Sequence, residues 1–182
     1  MSNFDLRSSL SLYQPINDQE ANYKTQMLEL FSEGKIAFER TRKAGHFTAS
    51  AWVLDPSSQK ALLVLHSKIE KWLQPGGHAD GNQNLQEVAT KELAEETGIT
   101  SIETLKSTIF DLDVHTIPEH KGIPAHLHYD MRFIFRGNSQ ARMQINHESK
   151  DIQWVPLDEI PELVSKDPSI CRMVEKSKEL IK

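Results

Sequence analysis

Three glutamates, Glu92, Glu95 and Glu96, lie within five residues of one another, shortly after a glycine-rich turn. At positions i, i+3 and i+4 they share one face of a helix, so their carboxylates converge. Winding the helix places four apolar residues around the same direction: Leu85, Val88, Ala89 and Leu93. Crowded carboxylates beside an apolar stripe repel one another unless a cation offsets their charge. Oxygen ligands of this kind favour Mg²⁺, with Mn²⁺ as a substitute, over the alternative of a solvated charged helix.

A second group of polar side chains alternates along the segment HLHYDMRF. On a strand, His126, His128, Asp130 and Arg132 lie on one face, and the apolar residues between them lie on the other. Arg132 and the histidines would then contact a phosphate or a polar leaving group of a substrate. Two alternatives stay open, because a His-x-His-x-Asp set also suits zinc or iron, and a half-exposed strand often has a polar outer face. His78, beside the glycine turn, is a further candidate contact for phosphate or metal.

Hydrophobic periodicity, caps and turns predict the elements that position these residues. Asn17 with Glu20 forms a capping-box pattern ahead of the first helix, Gly34 ends that helix, and residues 35–46 form a connector. The remaining elements are strands at 47–55, 60–67, 71–77, 107–117, 126–137, 141–146 and 152–157, and helices at 84–98 and 168–181, the last capped by Asp167 or Ser169. Interleaved strands and helices predict an α/β fold in which a mixed sheet is flanked by helices.

Composition and charge narrow the class of protein. The chain has 182 residues and a mass of 20.8 kDa, which suits one globular domain overall. Its formal net charge is −5, and without a visible basic patch it is not expected to bind polymeric nucleic acid. The sequence shows no apolar run of about 18 residues for a membrane span and no secretory signal at its start. A single cysteine, Cys171, predicts no intramolecular disulfide and favours a reducing cytoplasm.

The segment GGHADGNQNLQEVATKELAEETGI resembles the Nudix box, whose pattern is G-x5-E-x7-R-E-U-x-E-E-x-G-U with U an aliphatic residue. The matching positions are Gly77, Glu92, Leu93, Glu95, Glu96, Gly98 and Ile99. The flanking segments GHFTASAWVLD and PAHLHYDMRFIF look like those of one bacterial subgroup. The resemblance implies a Nudix-type α/β/α sandwich over residues 45–182, preceded by a helical segment and connector at residues 1–44.

The same resemblance implies an activity and assigns residues to it. Nudix proteins hydrolyse a nucleoside diphosphate linked to another group with the help of a divalent cation. The expected reaction is therefore cleavage of a phosphoanhydride bond in a small phosphorylated substrate. Glu92, Glu95 and Glu96 would hold the metal, with the Gly77 carbonyl as an additional ligand. A coordinated water would attack phosphorus, and oxidised nucleoside triphosphates, ADP-ribose and dinucleoside polyphosphates are all open as substrates.

Family members commonly recruit a further acid outside the box as base or metal ligand. Glu148, six residues before Trp154, resembles the base-bearing loop of some members, and Glu119 is its competitor. Two positions depart from the box, since Gln83 stands where it has glutamate and Lys91 where it has arginine. The three glutamate ligands are kept, but these departures favour fewer metal ions and support an alternative function, a nucleotide sensor without turnover.

Two further expectations complete the sequence-based prediction. An isomerase on the same scaffold is disfavoured, because that chemistry is expected to use an active-site cysteine and Cys171 lies far downstream in a predicted helix. The N-terminal helical segment is expected either to cover the substrate pocket or to form a dimer contact.

Overall fold

A computed structural model describes residues 6–120 and 122–181. In these ranges the α-helices are Leu6–Leu12 (α1), Asp18–Phe31 (α2), Leu85–Thr97 (α3), Ile160–Leu163 (α4) and Pro168–Leu180 (α5), with a 3₁₀-helix at Gly34–Phe38. The strands are Gly45–Leu54 (β1), Lys60–His66 (β2), Trp72–Leu73 (β3), Gly76–His78 (β4), Ile102–Thr104 (β5), Asp111–Ile117 (β6), His126–Gly137 (β7) and Ser149–Pro156 (β8). No helix in this part of the chain has the length and apolar character needed to cross a bilayer.

The strands of the described residues form one sheet with the order β3-β2-β1-β7-β5, in which β4 also pairs with β1, β6 with β7, and β8 with β2. β4 lies antiparallel to β1, with His78 opposite Thr48. β6 lies antiparallel to β7, with His115 opposite His128. These registers decide which polar side chains share a face. The predicted α/β class, a mixed sheet flanked by helices, is confirmed.

Contacts divide the chain into two compact units. The first contains the described residues up to Ser50 together with Gly76–Ala89 and Ser107–Phe133, and the second contains Ala51–Pro75, Thr90–Lys106 and the described residues from Ile134. β1, α3 and β7 each contribute residues to both units. The separate N-terminal segment at residues 1–44 and domain at residues 45–182 stay a prediction.

In the first unit, the N-terminal elements pack against β1 through three aromatic rings. The ring centroid of Phe31 in α2 lies 5.9 Å from that of Phe38 in the 3₁₀-helix, and Phe38 lies 4.9 Å from Phe47 in β1. α2 begins where predicted, because the Oδ1 atom of Asn17 accepts a hydrogen bond from the Glu20 N–H at 2.9 Å.

Helix α1 was not predicted from the sequence. Its serine-rich segment has weak helix propensity, and contacts with α2 stabilise it. The Lys24 ammonium donates hydrogen bonds to the carbonyl oxygens of Ser11 at 2.7 Å and Tyr13 at 2.8 Å, just where α1 ends. The Tyr13 hydroxyl also donates to the carboxylate of Glu20 at 2.9 Å. These partners are distant in sequence from the residues that form the helix.

In the second unit, α5 is joined to the end of β1 through a buried tryptophan. Trp52 is fully buried and donates its Nε1–H to the Ser177 hydroxyl at 2.8 Å. Asp167, one of the two predicted caps, starts α5 by accepting hydrogen bonds from the N–H groups of Ser169 and Ile170 at 3.0 and 3.2 Å. The predicted last helix is thus confirmed.

The strand predicted at residues 141–146 is wrong. This segment instead satisfies carbonyl groups at the carboxyl end of α3, which a helix leaves without intrahelical partners. The Gln144 N–H donates to the Thr97 carbonyl at 2.9 Å, and the Asn146 side-chain amide donates to the Glu95 carbonyl at 3.1 Å. β5 was missed, because three residues are too few to show a periodicity.

Candidate functional site

Helix α3 carries the three predicted metal ligands. The Asn84 Oδ1 atom accepts a hydrogen bond from the Glu87 N–H at 3.4 Å near its start. At its end, Gly98 adopts a left-handed conformation with φ +75°, and its N–H donates to the Ala94 carbonyl at 2.9 Å. Both ends were predicted from the sequence.

The apolar stripe of α3 faces inward, as predicted. Its members are buried: Leu85, Val88, Ala89 and Leu93. The glutamates follow a gradient around the helix, since Glu96 is 7% exposed, Glu92 is half-buried, and the Glu95 side chain is 56% exposed. Glu96 therefore continues the buried stripe, whereas Glu95 lies largely in solvent.

Lys91 stands at the position of the box arginine and pairs with Glu95. Its Nζ atom lies 3.3 Å from Glu95 Oε1, across one helical turn, and both side chains are more than half exposed. Such a pair contributes about 0.3–0.5 kcal/mol to stability. Gln83, at the position of the first box glutamate, is exposed ahead of α3. The two departures from the box thus lie toward solvent.

Glu148 lies in a loop that is fastened to the carboxyl end of α3 by Asn146. The amide nitrogen of Asn146 donates to the Glu95 carbonyl at 3.1 Å, and its Oδ1 atom accepts from the Glu148 N–H at 2.8 Å. The Glu148 carbonyl accepts a second backbone hydrogen bond from the Ser67 N–H at 2.8 Å. The Glu148 side chain remains 45% exposed. The Asn146 side chain therefore links the backbone of the predicted base to the last turn of α3.

The competitor acid and the glycine turn lie on other elements. Glu119 is exposed in the loop between β6 and β7. Gly77 lies in β4 opposite Ala49, and its role as a metal ligand stays a prediction. A Cβ atom on Gly76 would lie 2.3 Å from the Ser50 hydroxyl oxygen and 2.8 Å from the Ala49 carbonyl. Only glycine fits at position 76.

Arg132 is buried in a cluster of aspartates and is 3% exposed. Its Nη1 atom lies 3.0 Å from Asp111 Oδ2, its Nη2 atom 3.3 Å from Asp113 Oδ2, and its Nε atom 2.9 Å from Asp130 Oδ2. Burial alone would lower the pKa of Arg132, but the charges of Asp113, Asp130 and Asp111 outweigh it and raise that pKa. The guanidinium thus forms ion pairs with three carboxylates of the protein.

The Asp130 carboxylate is also held by hydrogen bonds from other residues of the protein. Its oxygen atoms accept hydrogen bonds from the Thr48 hydroxyl at 3.0 Å and from the Ser50 hydroxyl at 2.9 and 2.8 Å. The alternation that places His126, His128, Asp130 and Arg132 on one face is correct. The four residues have different partners, however: Asp130 and Arg132 pair within the aspartate cluster, whereas the His126 and His128 rings contact each other.

Five histidines from four strands come together on this face. The ring centroid of His46 lies 5.1 Å from that of His78, 5.2 Å from His128 and 5.3 Å from His126. His115 lies 5.5 Å from His128 and contacts the Asp113 carboxylate through Nδ1 at 3.0 Å. Sequence analysis missed His46, which it placed in the connector, and His115, although Asp111, Asp113 and His115 alternate along β6.

Burial lowers the pKa of three of these imidazoles, those of His46, His78 and His128. It lowers the pKa of His78 to about 4, with the positive charge of Arg40 adding to the effect. It lowers the pKa of His128 to about 2, and the neighbouring histidines contribute in the same direction. The pKa of His46 is also lowered by burial. These rings are therefore neutral at pH 7, with lone pairs available to bind a cation or to accept a hydrogen bond.

The chain is similar in sequence to known proteins. A family model described as NUDIX domain matches residues 45–173. RNA pyrophosphohydrolase of Caulobacter vibrioides is 32% identical over 103 residues, which cover 51% of this chain and 60% of the relative. The same figures hold for the protein of a second strain. The chain thus spans about three-fifths of the length of these curated relatives.

Solved structures resemble the chain in fold. A C. elegans Ap4A hydrolase, crystallised as a binary complex, gives a TM-score of 0.60 at 18% identity and covers 74% of this chain and 96% of its own. The NUDIX domain of Shewanella oneidensis NrtR, complexed with ADP ribose, gives a TM-score of 0.52 at 20% identity, with coverages of 79% and 92%. At these identities the likeness establishes the fold alone.

Proposed function

The chain belongs to the Nudix family, and from this premise we propose that it hydrolyses a phosphoanhydride bond in a small phosphorylated molecule such as a nucleoside diphosphate derivative. The observation that carries the proposal is the placement of the box glutamates along α3. Glu96 continues the buried stripe and Glu92 lies at its margin. Carboxylates at the edge of a low-dielectric region attract a cation more strongly than carboxylates in bulk water.

The donor set of α3 fits a hard divalent cation. Glu92, Glu95 and Glu96 would offer oxygen atoms only, which suits Mg²⁺ and also Mn²⁺. The bound cation supplies neutralisation of phosphate oxygens and a more acidic coordinated water. The Lys91–Glu95 pair leaves this assignment intact, because a solvent-exposed ion pair is weak and easily exchanged.

Glu148 is proposed as the base. Water attacks phosphorus, its proton passes to the Glu148 carboxylate, and the anhydride P–O bond breaks to release the phosphate-bearing leaving group. The support for this role is the loop geometry. Asn146 fixes the Glu148 backbone to the last turn of α3, while the Glu148 side chain stays accessible.

The residues predicted to contact substrate differ in how accessible they are. His126, half-buried on β7, is proposed to contact a phosphate or the leaving group. Contact by Asp130 and Arg132 stays a prediction, and their burial and mutual pairing favour a positioning role instead. His78 and His128 keep some exposed area, and their neutral rings suit hydrogen bonding or metal binding.

The test is a hydrolysis panel run with Mg²⁺, with Mn²⁺ and with a chelator. Ap4A and ADP-ribose belong in it because one structure of similar fold is named an Ap4A hydrolase and another is a complex with ADP ribose. An oligoribonucleotide with a 5′-phosphoanhydride is included because a relative is named RNA pyrophosphohydrolase. Oxidised nucleoside triphosphates complete the panel. The RNA arm also tests the expectation that polymeric nucleic acid is not a partner. We expect metal-dependent hydrolysis of at least one small substrate, followed by chromatography of its phosphorylated products, because cleavage of Ap4A or ADP-ribose yields two organic phosphates and no inorganic phosphate.

The Glu96→Gln variant is expected to lose this turnover, because it removes a carboxylate from the proposed metal site. Its matched control is Glu87→Gln, which changes an exposed glutamate of the same helix and should retain activity. Circular dichroism and thermal unfolding should show that both variants are folded. An unfolded Glu96→Gln protein would make Glu96 a structural residue and contradict the assignment.

The sensor is the second candidate, favoured by the box departures at Gln83 and Lys91. It predicts tight binding of one panel member, measured by calorimetry, without turnover in the presence of either metal. Restoring the box with the double change Gln83→Glu and Lys91→Arg would then create hydrolysis. If the unaltered chain already turns over that ligand, the sensor is excluded.

Glu148→Gln separates the two candidate bases. We expect it to slow kcat by about 100-fold or more, since general base catalysis contributes about 10²–10⁴-fold, with nearly unchanged affinity for Mg²⁺. Glu119→Gln should be close to unaltered. The reverse pattern would move the assignment to Glu119.

The cytoplasmic location and the dimer contact of the N-terminal segment stay proposals. The packing of Phe31 and Phe38 on Phe47 shows that the described part of this segment contributes to the core of its unit. Sedimentation at two protein concentrations would test for a dimer.

A further inference from the structure

We propose that His46, His78 and His128 bind one first-row transition-metal ion, with Zn²⁺ the best match, at a site distinct in chemistry from the glutamates of α3. The three histidines come from β1, β4 and β7, and their ligand atoms all lie within 4.8 Å of one another. All three belong to the same compact unit. The inference does not depend on the function proposed above.

Two of the ring nitrogens have no hydrogen-bond partner. His46 is 2% exposed, and its Nε2 atom and the Nε2 atom of His128 are both buried without a partner. Buried polar atoms in proteins are nearly always hydrogen-bonded, so each exception needs an explanation. Two such nitrogens in one cluster of imidazoles are explained together by a shared cation.

The surroundings of His46 favour the tautomer that a metal needs. His46 Nδ1 lies 3.5 Å from the Arg42 carbonyl, so a proton on Nδ1 leaves the Nε2 lone pair for the metal. Histidine ligands in proteins are oriented in this way by a carbonyl or carboxylate on the other nitrogen. Beside His128, the His115 ring is held by the Asp113 carboxylate at 3.0 Å and forms a wall of the site.

The donor set selects the class of ion. Neutral imidazole is a borderline ligand that binds zinc, iron, nickel or copper and suits Mg²⁺ poorly. The three rings come from neighbouring strands, and their ligand atoms already lie within 4.8 Å of one another. Three histidines leave the fourth position of a tetrahedral ion to water or to an anionic oxygen.

The distances are close to those of a formed site. Nitrogen atoms bonded to one zinc ion at about 2.0–2.1 Å lie about 3.4 Å apart in a tetrahedron. The ligand atoms of the three rings lie within 4.8 Å of one another, so we expect rotation of the imidazole rings to close the remaining distance when the ion binds. The strand registers that bring the rings together need not change.

The experiment uses the full chain without a purification tag, stripped with a chelator and then titrated with Zn²⁺ or Co²⁺. Millimolar Mg²⁺ is present throughout to occupy the carboxylates of α3. We expect one Zn²⁺ per chain by elemental analysis and a visible Co²⁺ spectrum of the tetrahedral type. A rise in Tm with added Zn²⁺ provides a second readout that is independent of catalysis.

Variants locate the ion. His78→Asn and His128→Asn should each weaken Zn²⁺ binding by more than about 100-fold, because loss of outer-shell partners alone costs about 10–100-fold. His147→Asn is the matched control, since its side chain is 90% exposed, and Glu96→Gln should bind Zn²⁺ as the unaltered chain does. His78 is half-buried, so its variant serves if His128→Asn does not fold.

Three results would overturn the proposal. Zn²⁺ binding that survives in folded His78→Asn would mean that these histidines are not the ligands. Zn²⁺ binding that is lost in Glu96→Gln, or that appears only when Mg²⁺ is left out, would assign the ion to the carboxylates. Absence of any Zn²⁺ or Co²⁺ binding would reduce the cluster to a set of packed neutral rings.

Discussion

Replacing Arg132 by methionine separates a structural role from a role in substrate binding. The side chain is 3% exposed and contacts three aspartates at 2.9–3.3 Å. Methionine fills a similar volume but leaves buried carboxylates without their cation. Removing one partner from a buried ion pair costs about 3–5 kcal/mol. That is a large fraction of the about 5–15 kcal/mol by which a typical domain is stable.

The expected shift is measurable by urea and thermal unfolding. For a chain of this size, 1 kcal/mol corresponds to about 2–4 °C in Tm, so Arg132→Met should lower Tm by about 6–20 °C. Arg40→Met is the matched control, because Arg40 pairs with Asp80 where both side chains are about half exposed. Exposed pairs contribute about 0–1 kcal/mol, and that variant should therefore unfold within a few degrees of the unaltered chain.

A specific combination of results would refute this reasoning. If Arg132→Met loses less than about 1 kcal/mol of stability, the buried aspartates do not depend on the guanidinium to offset the cost of their desolvation. If that stable variant also loses hydrolysis through a raised KM, Arg132 contacts phosphate. The sequence-based prediction would then be correct and the positioning role wrong.

Three further outcomes follow from the same structure. Asn146→Ala should lower kcat several-fold with little change in KM, because the amide that joins α3 to the Glu148 loop is lost; an unchanged kcat in steady-state assays would contradict this. Gly76→Ala should destabilise the chain by about 1–3 kcal/mol in urea unfolding, since the new Cβ would lie 2.3 Å from a side-chain oxygen of β1. In the presence of chelator, stability should fall as pH decreases from about 6.5 toward about 4, the lowered pKa of His78. In this pH range the histidines of the unfolded chain bind protons, whereas His78 and His128 stay unprotonated in the folded chain. The free energy of unfolding therefore falls by on the order of 1 kcal/mol per pH unit for each histidine. His78→Asn should reduce this dependence on pH, as measured by urea unfolding at several pH values.

Local signals predicted the elements whose hydrogen bonds are also local. Asn17 caps α2 and Asp167 caps α5 through N–H groups two or three residues ahead. Gly98 ends α3 because its left-handed conformation is strained for other residues. The inward direction of the α3 stripe followed from the helical period alone. In each case the information lies within about one turn of chain.

Elements that depend on distant partners could not be predicted in the same way. The segment 141–146 alternates like a strand, but its hydrogen bonds go to the carbonyls of Thr97 and Glu95. α1 depends on Lys24, a residue of the following helix. Propensity and periodicity carry no information about such pairings, and tertiary contacts overrode both.

The histidine cluster shows the same limit at the level of chemistry. His46, His78 and His128 are separated by 32 and 50 residues in the sequence, which matches no ligand spacing. They meet because β4 pairs with β1 in a register that places His78 opposite Thr48. His46, two residues before Thr48 on the same face of β1, then lies next to His78. Only the His126–His128 alternation was visible from sequence, and it grouped these rings with Asp130, whose own partners lie in the aspartate cluster.

The glutamates of α3 and the histidine cluster offer different ligand atoms and therefore favour different cations. The α3 glutamates offer charged oxygen atoms, and an ion such as Mg²⁺ satisfies them while keeping several waters. The cluster of His46, His78 and His128 offers neutral nitrogen atoms, which are poor ligands for Mg²⁺. An ion of the zinc class binds imidazole far better than Mg²⁺ does, so an excess of Mg²⁺ would not compete for the histidines. Selection by ligand chemistry would therefore allow both proposed sites to be filled at once, and we expect the Glu96→Gln and His78→Asn variants each to empty one proposed site and not the other.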